Sequence, residues 1–376
     1  MTRPRRVLLV THELSRTGAP RIALLVARSL GRRGARVSVV SRRPGPLEPE
    51  FAQAARTRLE PFLRVRRRLG LVSALAPVAR AVDTASAVAT LLRHRPDLVY
   101  LNSTASVAYL RACLLLRRRV VLHSHESTEV AERFIGPSRA RALLRHARLV
   151  ACSPSVQTSL AELAGVPVDE VVMLPSVPDG PAVEAAADLP PDVSYRPDEI
   201  VVGCCGSVEH RKGTDLWLEV AERVRAAHPQ LPLRFVWVGE IVDPELTGRA
   251  SDAAPPRTPW AEVFVGPSAN PYAHMRRFNI ATLPSRDDPF PLVVLESMLL
   301  GTPVVAFAVG GVPEQIGDAG IVVPPLDVAA FADAVGALVA DADLRSDLGR
   351  RARERARTRF SVEAFAELLD EVVEEP

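Results

Sequence analysis

The stretch RRVLLVTHELSRTGAPRIALLVARSLGRRGARVSVVS, Arg5 to Ser41, shows the pattern that decides the fold. An apolar run of strand length, RRVLLVT, leads through a glycine-containing loop into an amphipathic helix, APRIALLVARSLGRRG, and then into a second strand, RVSVVS. A strand, a helix and a strand in close succession are typical of parallel strands joined by a helical crossover. The stretch therefore predicts the start of a doubly wound α/β domain.

The same alternation continues along the rest of the chain. The segments DLVYLNS, RVVLHSH and RLVACS repeat it in the first half, and IVVGCCGS, LRFVWVG, EVFVG, IATLPS, PVVAFA and GIVVP repeat it in the second. A proline-rich segment without periodicity separates the halves and predicts a linker. We predict Rossmann-like domains at 1–180 and 199–360, a linker at 181–198 and a terminal helix at 361–376. Ligands of such sheets bind beyond the carboxyl ends of the strands, so we expect the site in the cleft between the domains.

Length and composition agree with two cytosolic domains. The chain has 376 residues, of which 47% are hydrophobic and 24% charged, which is ordinary globular material. Its four cysteines have irregular spacing and predict neither a disulfide framework nor paired metal ligands. The apolar run that begins at Pro291 is divided by Glu296 and by Gly301 to Pro303, so we predict no transmembrane segment. The N-terminus is too polar for a secretion signal, and we expect a cytoplasmic protein.

The charge is distributed very unevenly. Residues 1–180 hold 29 arginines against 13 acidic residues, a net charge of +16, and the remainder has a net charge of −13. A basic half indicates an anionic partner, such as nucleic acid or a lipid surface, although a solvated arginine-rich face remains the alternative. No aromatic residues are interleaved with the arginines, which argues against nucleic acid. The clusters are Arg64, Arg66, Arg67 and Arg68, then Arg117, Arg118 and Arg119, then Arg141, Arg145 and Arg148.

Two loops of the first half are candidates for the site. Gly18 stands just before a helix, where amides can hold an anionic group, although an ordinary turn explains it as well. The G-x-G-x-x-G pattern of a dinucleotide site is not present. His123 and His125 alternate with Ser124 and so point to one face of a strand. Two histidines without a third ligand favour a polar strand end over a metal site.

The only lysine of the chain marks a third candidate loop. Lys212 and Arg211 lie where the strand IVVGCCGS gives way to the helical pattern GTDLWLEVAERVRAAH. Thr214 and Asp215 are of the types that cap helices. A diphosphate here would meet two cations and the positive end of a helix, whereas the alternative is an exposed basic turn.

The fourth candidate is the segment LPSRDDPFPLVVLESMLLGTPVVAFAVGGVPEQI, residues 283–316. Asp288 ends a loop, and Glu296 lies inside the helix that follows. The backbone amides of Phe290, Leu292 and Val293 are available at the helix start, because the intervening prolines have none. Carboxylates at both ends with amides between them suit a nucleotide-sugar, which has hydroxyls at both ends and negative charge in the middle.

This segment resembles the signature of the family 4 retaining glycosyltransferases, which have the GT-B fold. The family pattern is two acidic residues separated by seven, then G-x-P-V-V-A, then G-G-x-x-E. The chain has Asp288 and Glu296 in the matching order, followed by Gly301, Pro303, Val304, Val305 and Ala306, and by Gly310, Gly311 and Glu314. Further segments with family counterparts are GAP at Gly18, HE at His125, SPSVQTSL and RKGTDLWL, so the resemblance covers nearly the whole chain.

The resemblance implies a role for each matching residue. Arg211 and Lys212 would contact the donor diphosphate, Asp288 the donor sugar, and Glu296 the ribose. His125 would contact the transferred sugar, Gly310 and Gly311 would approach the nucleotide, and Gly18 would face the cleft from the other domain. The implied catalytic set is Asp288, His125, Lys212 and Arg211, and the implied donor-binding set adds Gly18, Ser207, Phe290, Leu292, Val293, Glu296, Gly310 and Gly311. The co-substrate is a nucleotide-sugar, with no cofactor and no essential metal.

Two departures from the family pattern leave alternatives open. Ser207 follows Gly206 where the family usually has arginine, and Asp288 replaces the usual glutamate. We expect retaining sugar transfer to a lipid-linked or cell-surface glycan, at the inner face of the cell membrane. The implied fold has a terminal helix that crosses back to the N-terminal domain. The alternatives are a non-catalytic GT-B-like binding protein and a nucleotide-sugar epimerase.

Overall fold

A computed structural model describes residues 5–60, 76–136, 140–247 and 263–374. Contacts divide the chain into two compact units. The first unit comprises Met1–Ser176 together with Glu363–Pro376, and the second comprises Val177–Val362.

The first unit is built on a parallel sheet of seven strands among its described residues. The strands are β1 (Arg6–Thr11), β2 (Arg36–Ser41), β3 (Arg56–Leu59), β4 (Leu98–Asn102), β5 (Val120–Ser124), β6 (Arg148–Ala151) and β7 (Val172–Met173). The helices are α1 (Gly18–Arg32), α2 (Glu48–Ala54), α3 (Ala76–His94), α4 (Val107–Leu115), α5 (Thr128–Ile135), α6 (Ala140–Leu144) and α7 (Pro154–Ala164). The strand order is β3-β2-β1-β4-β5-β6-β7. The chain therefore reverses its direction of growth between β1 and β4.

The second unit repeats this plan with a six-stranded parallel sheet in its described part. Its helices are α8 (Gly180–Ala187), α9 (Thr214–Ala227), α10 (Pro271–Met275), α11 (Leu292–Leu299), α12 (Val312–Ile316), α13 (Val328–Ala340) and α14 (Ala342–Arg359). Its strands are β8 (Ile200–Cys205), β9 (Leu233–Val238), β10 (Val263–Gly266), β11 (Ile280–Leu283), β12 (Val304–Phe307) and β13 (Ile321–Val323). The order β10-β9-β8-β11-β12-β13 places the reversal between β8 and β11. Ligands of open α/β sheets bind at such reversals, which selects the loops after β8 and β11.

The core of the second unit supports the loop after β8. The indole of Trp217 donates to Thr282 Oγ1 at 3.1 Å, and that hydroxyl donates to Gly203 O at 2.9 Å. Trp237 packs edge-on against Trp217, with ring centroids 5.3 Å apart, and donates to Gly206 O at 2.8 Å. Both indoles are buried and have hydrogen-bond partners, so neither N–H carries a desolvation cost. The carbonyl of Gly206, where the loop begins, is thereby fixed to the core.

The segment expected as a linker, 181–198, starts inside α8 and belongs to the second unit. Asp179 Oδ1 accepts from the Ala182 amide at 3.4 Å and caps this helix. The Glu184 carboxylate accepts from Arg353 at 3.0 Å and from Arg357 at 2.6 Å, both on α14. Alanine-rich residues favour a helix, but here the stretch is short and has prolines on both sides, so the sequence did not predict this helix.

The terminal helix, α15 (Val362–Glu374), packs with the first unit from Glu363 onward. Arg5 and Arg119 both donate to the carbonyl of Val373 in its last turn. Arg33 donates to Ala366 O at 3.2 Å and pairs with Asp370. Cations near the carboxyl end of a helix are favoured by the helix dipole, so Arg5 and Arg119 stabilise the docked helix in this way, and Arg33 adds an ion pair. The return of the terminal helix, implied by the resemblance, is confirmed.

None of the helices in the described segments combines the length and the apolar character needed to cross a bilayer.

Candidate functional site

The loops that follow β8 and β11 meet through the only lysine of the chain. Lys212 Nζ donates to Asp288 Oδ2 at 2.5 Å, although the residues are 76 positions apart. The side chains are 19% and 10% exposed, so the pair is largely shielded from water. Hydrogen bonds between charged groups are shorter and stronger than neutral ones. A cation and a carboxylate are thus held together at the reversal point of the second sheet.

Arg211, the neighbouring cation, points to a carboxylate that the sequence did not single out. Its Nη2 donates to Glu209 Oε1 at 3.0 Å, and Ser207 Oγ donates to the same oxygen at 2.7 Å. Arg211 Nη1 also donates to Asp287 O at 3.0 Å. Glu209 therefore links Ser207, which stands where the family has arginine, to the second cation of the loop.

The prediction that Thr214 or Asp215 caps α9 is wrong. The N-cap is Gly213, and its φ of 73° is in the left-handed region, which favours glycine. Thr214 Oγ1 instead accepts from the Glu209 amide at 3.2 Å, so it closes the loop. Asp215 binds Arg286 through two hydrogen bonds of 2.7 Å. These bonds lower the pKa of the Asp215 carboxyl.

The start of α11 presents the predicted amides beside Asp288. Pro291 is the N-cap, and the Val294 amide donates to Pro291 O at 3.2 Å. The amides of Leu292 and Val293 precede that bond, and amides at this position of a helix lack intrahelical acceptors. Phe290 is buried, with its ring centroid 6.1 Å from that of Phe360. The backbone geometry at this tip is compatible with binding of an anionic group.

Glu296 lies one turn into α11 and is buried, with 5% of its surface exposed. The hydroxyl of Tyr272, on α10, donates to Glu296 Oε1 at 3.1 Å. A buried carboxylate needs hydrogen-bond donors to offset its desolvation. Tyr272 supplies one such donor. The sequence pattern did not point to Tyr272 as a residue of the site.

The two glycines of the G-G-x-x-E motif pack against the loop of Asp288. A Cβ atom on Gly310 would lie 1.9 Å from Asp288 O, and its φ is 52°. The Gly311 amide donates to Pro289 O at 2.8 Å. Only a residue without a side chain allows the approach at Gly310, and the Gly311 amide adds a backbone hydrogen bond to the same loop.

In the first unit, the two histidines of β5 and its loop have different environments. His123 is fully buried, accepts from the Tyr100 hydroxyl at 2.9 Å through Nδ1 and donates to Leu174 O at 3.1 Å through Nε2. Its pKa is lowered well below the usual value, chiefly by burial. His123 is therefore a neutral structural residue whose two nitrogens are both occupied.

His125 is less buried and faces the reversal between β1 and β4. Its Nε2 donates to Asn102 Oδ1 at 3.1 Å, and Asn102 Nδ2 donates to Ala19 O at 2.8 Å. Asn102 thus connects His125 to the helix that begins at Gly18. The adjacent carboxylate, Glu126 Oε2, accepts from Thr104 N at 3.2 Å, Ser124 Oγ at 3.0 Å and His125 N at 3.1 Å. Both groups are held rigidly at the carboxyl end of the sheet.

His125 gives an expected pH dependence of stability. Burial lowers the pKa of His125 to about 4, from an ordinary value of 6.5. The unfolded chain takes up the proton first, so the free energy of unfolding should fall as the pH drops between these values and level off above them. Urea titrations at several pH values on the wild type and His125→Gln measure this. The variant should show a smaller fall, and equal falls would contradict the assignment.

Both halves of the chain match models of known protein families. Residues 16–177 match the model for Glycosyltransferase Family 4, and residues 199–341 match the model for Glycosyl transferases group 1. The two matches together cover more than half of the chain, and the second one contains both loops, after β8 and after β11, that hold Lys212 and Asp288. The chain belongs to the family 4 glycosyltransferases.

Individual relatives agree with this family 4 assignment. The D-inositol 3-phosphate glycosyltransferase of Corynebacterium jeikeium is 34% identical over 191 residues, which is 46% of this chain and 43% of that one. The glycogen synthase of Mycobacterium tuberculosis is 30% identical over 222 residues, 58% of this chain and 51% of that one. The chain thus spans about half the length of these curated relatives.

Solved structures establish the GT-B fold of the family 4 chain. Anabaena HepE, crystallised with UDP and glucose, has a TM-score of 0.76 at 19% identity, over 98% of this chain and 99% of that one. The glycosyltransferase WaaG, involved in lipopolysaccharide biosynthesis, has a TM-score of 0.71 at 16% identity, over 98% and 100%. The predicted fold is confirmed.

Part of the basic surplus of this family 4 chain serves the fold itself. Arg145 donates to Ala164 O at 3.0 Å, at the carboxyl end of α7, and Arg119 binds the terminal helix. The cluster Arg64, Arg66, Arg67 and Arg68 lies outside the described residues. Within the described ranges, no group of three histidine, cysteine or acidic side chains is arranged to hold a metal ion.

Proposed function

We propose that this family 4 chain transfers a sugar, with retention of anomeric configuration, from a nucleotide-diphosphate donor to a glycan acceptor. The Lys212–Asp288 pair carries the proposal. In a nucleotide-sugar the diphosphate is bonded directly to the sugar, so a site for it needs a cation next to a hydroxyl acceptor. Lys212 and Asp288 provide these groups 2.5 Å apart. The amides of α11 lie beside them, and Glu296 lies one turn further on.

The chemistry needs positive charge where the leaving group forms. The bond between the anomeric carbon and the diphosphate oxygen breaks, so negative charge grows on the phosphate while the sugar becomes oxocarbenium-like. Preorganised charge at that position lowers the barrier, and a fixed orientation of the sugar adds to it. We assign the first role to Lys212, Arg211 and the amides of Leu292 and Val293. Asp288 and His125 orient the sugar.

The relatives support a nucleotide-sugar donor. HepE was crystallised with UDP, with UDP and glucose, and with UDP-glucose. The loop after β8 supplies a lysine and an arginine, and the first amides of α11 follow Asp288 closely in the chain, so these loops offer groups that suit a diphosphate. We therefore propose a nucleotide-diphosphate sugar as co-substrate, with no further cofactor.

The test is binding and turnover with purified protein. A panel of nucleotide-sugars is first compared by thermal shift, since a donor that binds only the folded chain raises its melting temperature. Sugar transfer is then followed with the best donor and candidate glycan acceptors, and the product is checked for retention. We expect turnover to persist in EDTA, because side chains and amides neutralise the phosphate. Loss of turnover in EDTA and recovery with magnesium or manganese would refute metal independence. An epimerised donor without transfer would refute the proposed reaction.

The acceptor side of the proposal rests on the charge of the N-terminal half. Residues 1–180 have a net charge of +16, and each arginine near an anionic bilayer contributes about 1 kcal/mol of attraction. We propose that the enzyme works in the cytoplasm at the inner face of the membrane, on a lipid-linked or cell-surface glycan. Nucleic acid is not proposed as a partner.

Vesicle co-sedimentation tests the membrane proposal. Binding should require anionic lipid and should weaken in high salt, because salt screens the attraction, within about 8 Å at physiological concentration. It should also fall when Arg64, Arg66, Arg67 and Arg68 are changed together to glutamine, because four positive charges are then lost. The matched control removes the same charge from the second unit: Arg196, Arg223, Arg350 and Arg357, all more than half exposed, are changed together to glutamine and should leave vesicle binding as in the wild type. Equal recovery with neutral and anionic vesicles would favour a soluble acceptor.

A further inference from the structure

Arg286 stands in the loop after β11 and directs its hydrogen bonds to the neighbouring loop after β8. Its backbone amide donates to Arg211 O at 2.9 Å, and its Nη1 donates to His210 O at 2.7 Å. Its Nη1 and Nη2 also donate to the two carboxylate oxygens of Asp215, each at 2.7 Å. One side chain therefore holds the loop of Lys212 at its backbone and at the helix that follows.

The loop after β8 makes contacts in the opposite direction. Arg211 Nη1 donates to Asp287 O at 3.0 Å. A Cβ atom on Gly213 would lie 1.9 Å from Pro284 O, so the two backbones are in close contact there. Contacts on both sides of the Lys212–Asp288 pair thus set the separation of the two loops.

We propose that Arg286 is a positioning residue for the donor: it fixes the Lys212 ammonium at the place where the donor diphosphate binds. The inference rests on the proposed function, because it assigns a role in that same site. Arg286 acts through the loop, since its hydrogen bonds end on His210, Arg211 and Asp215.

The geometry of this contact suits positioning better than general stability. A planar guanidinium that bonds both oxygens of a carboxylate defines direction as well as distance. Both side chains of the Arg286–Asp215 pair are 23% exposed, so solvent screens them less than a surface pair. Displacement of a catalytic group by about 1 Å can cost a factor of 10² in rate, so the proposed reaction depends on where this loop holds Lys212.

A matched control pair lies on the same helix as Asp215. Arg223 donates to Glu219 Oε1 through Nε at 3.1 Å and through Nη2 at 2.7 Å, one turn apart on α9. Both groups are about half exposed, at 51% and 46%. This pair also joins an arginine to a carboxylate, but it connects two residues of one helix and no loop.

The experiment compares Arg286→Gln, Asp215→Asn, the double variant and Arg223→Gln. Donor dissociation constants are measured by calorimetry with the nucleotide-sugar that the wild type binds best, and unfolding is measured in urea. We expect each site variant to bind the donor about 10- to 100-fold more weakly, which is the loss expected when a hydrogen bond to a charged group is broken. The double variant should bind the donor no more weakly than Arg286→Gln, since both substitutions break the same Arg286–Asp215 contact. Arg223→Gln should stay within about twofold, as is usual for exposed substitutions.

A second readout needs no donor. The Lys212 amide donates to Glu209 O at 3.1 Å, and the Gly213 amide donates to His210 O at 3.0 Å. Hydrogen exchange of these amides should be faster in Arg286→Gln and in Asp215→Asn, but not in Arg223→Gln. If Arg286→Gln fails to fold, Asp215→Asn carries both measurements.

The outcomes are distinct. Folded site variants with wild-type donor affinity would overturn the proposal, even if their unfolding free energy is lower, because the pair would then be only structural. Unchanged hydrogen exchange would overturn it as well. A wild type that binds no nucleotide-sugar would overturn the proposed function instead, and the exchange comparison would still decide whether Arg286 holds the Lys212 loop.

Discussion

Replacing Lys212 by alanine should weaken donor binding by about one to two orders of magnitude. A hydrogen bond to a charged group contributes about 1.5–3 kcal/mol, and each 1.4 kcal/mol is a factor of ten. Lys212 also neutralises Asp288, to which it donates at 2.5 Å. Without the lysine, the Asp288 carboxylate would stand unpaired next to the incoming diphosphate and repel it. The loss should therefore reach the upper end of that range.

Calorimetry with the best donor measures this effect, and two variants serve as controls. Lys212→Arg keeps the charge but replaces a compact ammonium by a planar fork, so it should recover affinity only in part. Asp288→Asn keeps Lys212 but removes the repelling charge, so it should retain diphosphate binding and lose sugar selectivity. If Lys212→Ala binds the donor as tightly as the wild type, the proposed site is incorrect.

The second large effect is expected for Gly310→Ala. The added Cβ would lie 1.9 Å from the carbonyl oxygen of Asp288, so the backbone of that loop must move. We expect a loss of about 2–4 kcal/mol in unfolding free energy, since backbone strain and overpacking contribute together. Donor affinity should fall as well, because the shifted segment carries Asp288 and leads into the amides of α11.

Gly34→Ala is the matched control for this substitution. Gly34 also has a positive φ, of 84°, but a Cβ atom there would meet no heavy atom within 4 Å. It should therefore lose only the strain of the left-handed conformation, about 1–2 kcal/mol. Urea unfolding and donor titration of both variants separate the two contributions. A Gly310→Ala protein as stable and as active as Gly34→Ala would show that the close approach is unimportant.

Much of the fold follows from local patterns in the sequence. Buried parallel strands read as continuous apolar runs, and the crossover helices read as amphipathic, so both sheets were predictable. The strands β3 and β7 were missed because they are only four and two residues long and are partly exposed. The helix α8 was missed because prolines surround it. In each case the tertiary contacts outweigh a weak local signal.

The candidate site was predictable only where a motif specifies it. Lys212, Asp288 and Glu296 were found through loop position and resemblance. Their pairing was not, because contacts between residues 76 positions apart leave no periodicity in the sequence.

The partners Glu209, Tyr272 and Arg286 were missed for a related reason. A polar residue in a loop or short helix has many possible neighbours, and only the folded chain selects one. Thr214 shows the same limit: its residue type fits a cap, but the positive φ of Gly213 directs its hydroxyl back into the loop.

The terminal helix has a consequence for how the protein is made. The first unit consists of Met1–Ser176 and Glu363–Pro376, and all of Val177–Val362 lies between them in the chain. A ribosome therefore completes the second unit before it supplies the last helix of the first. Domains generally fold as units during synthesis, N-terminal ones first. Here the surface that α15 covers stays exposed on the N-terminal unit until the later unit, and then α15 itself, has left the exit tunnel.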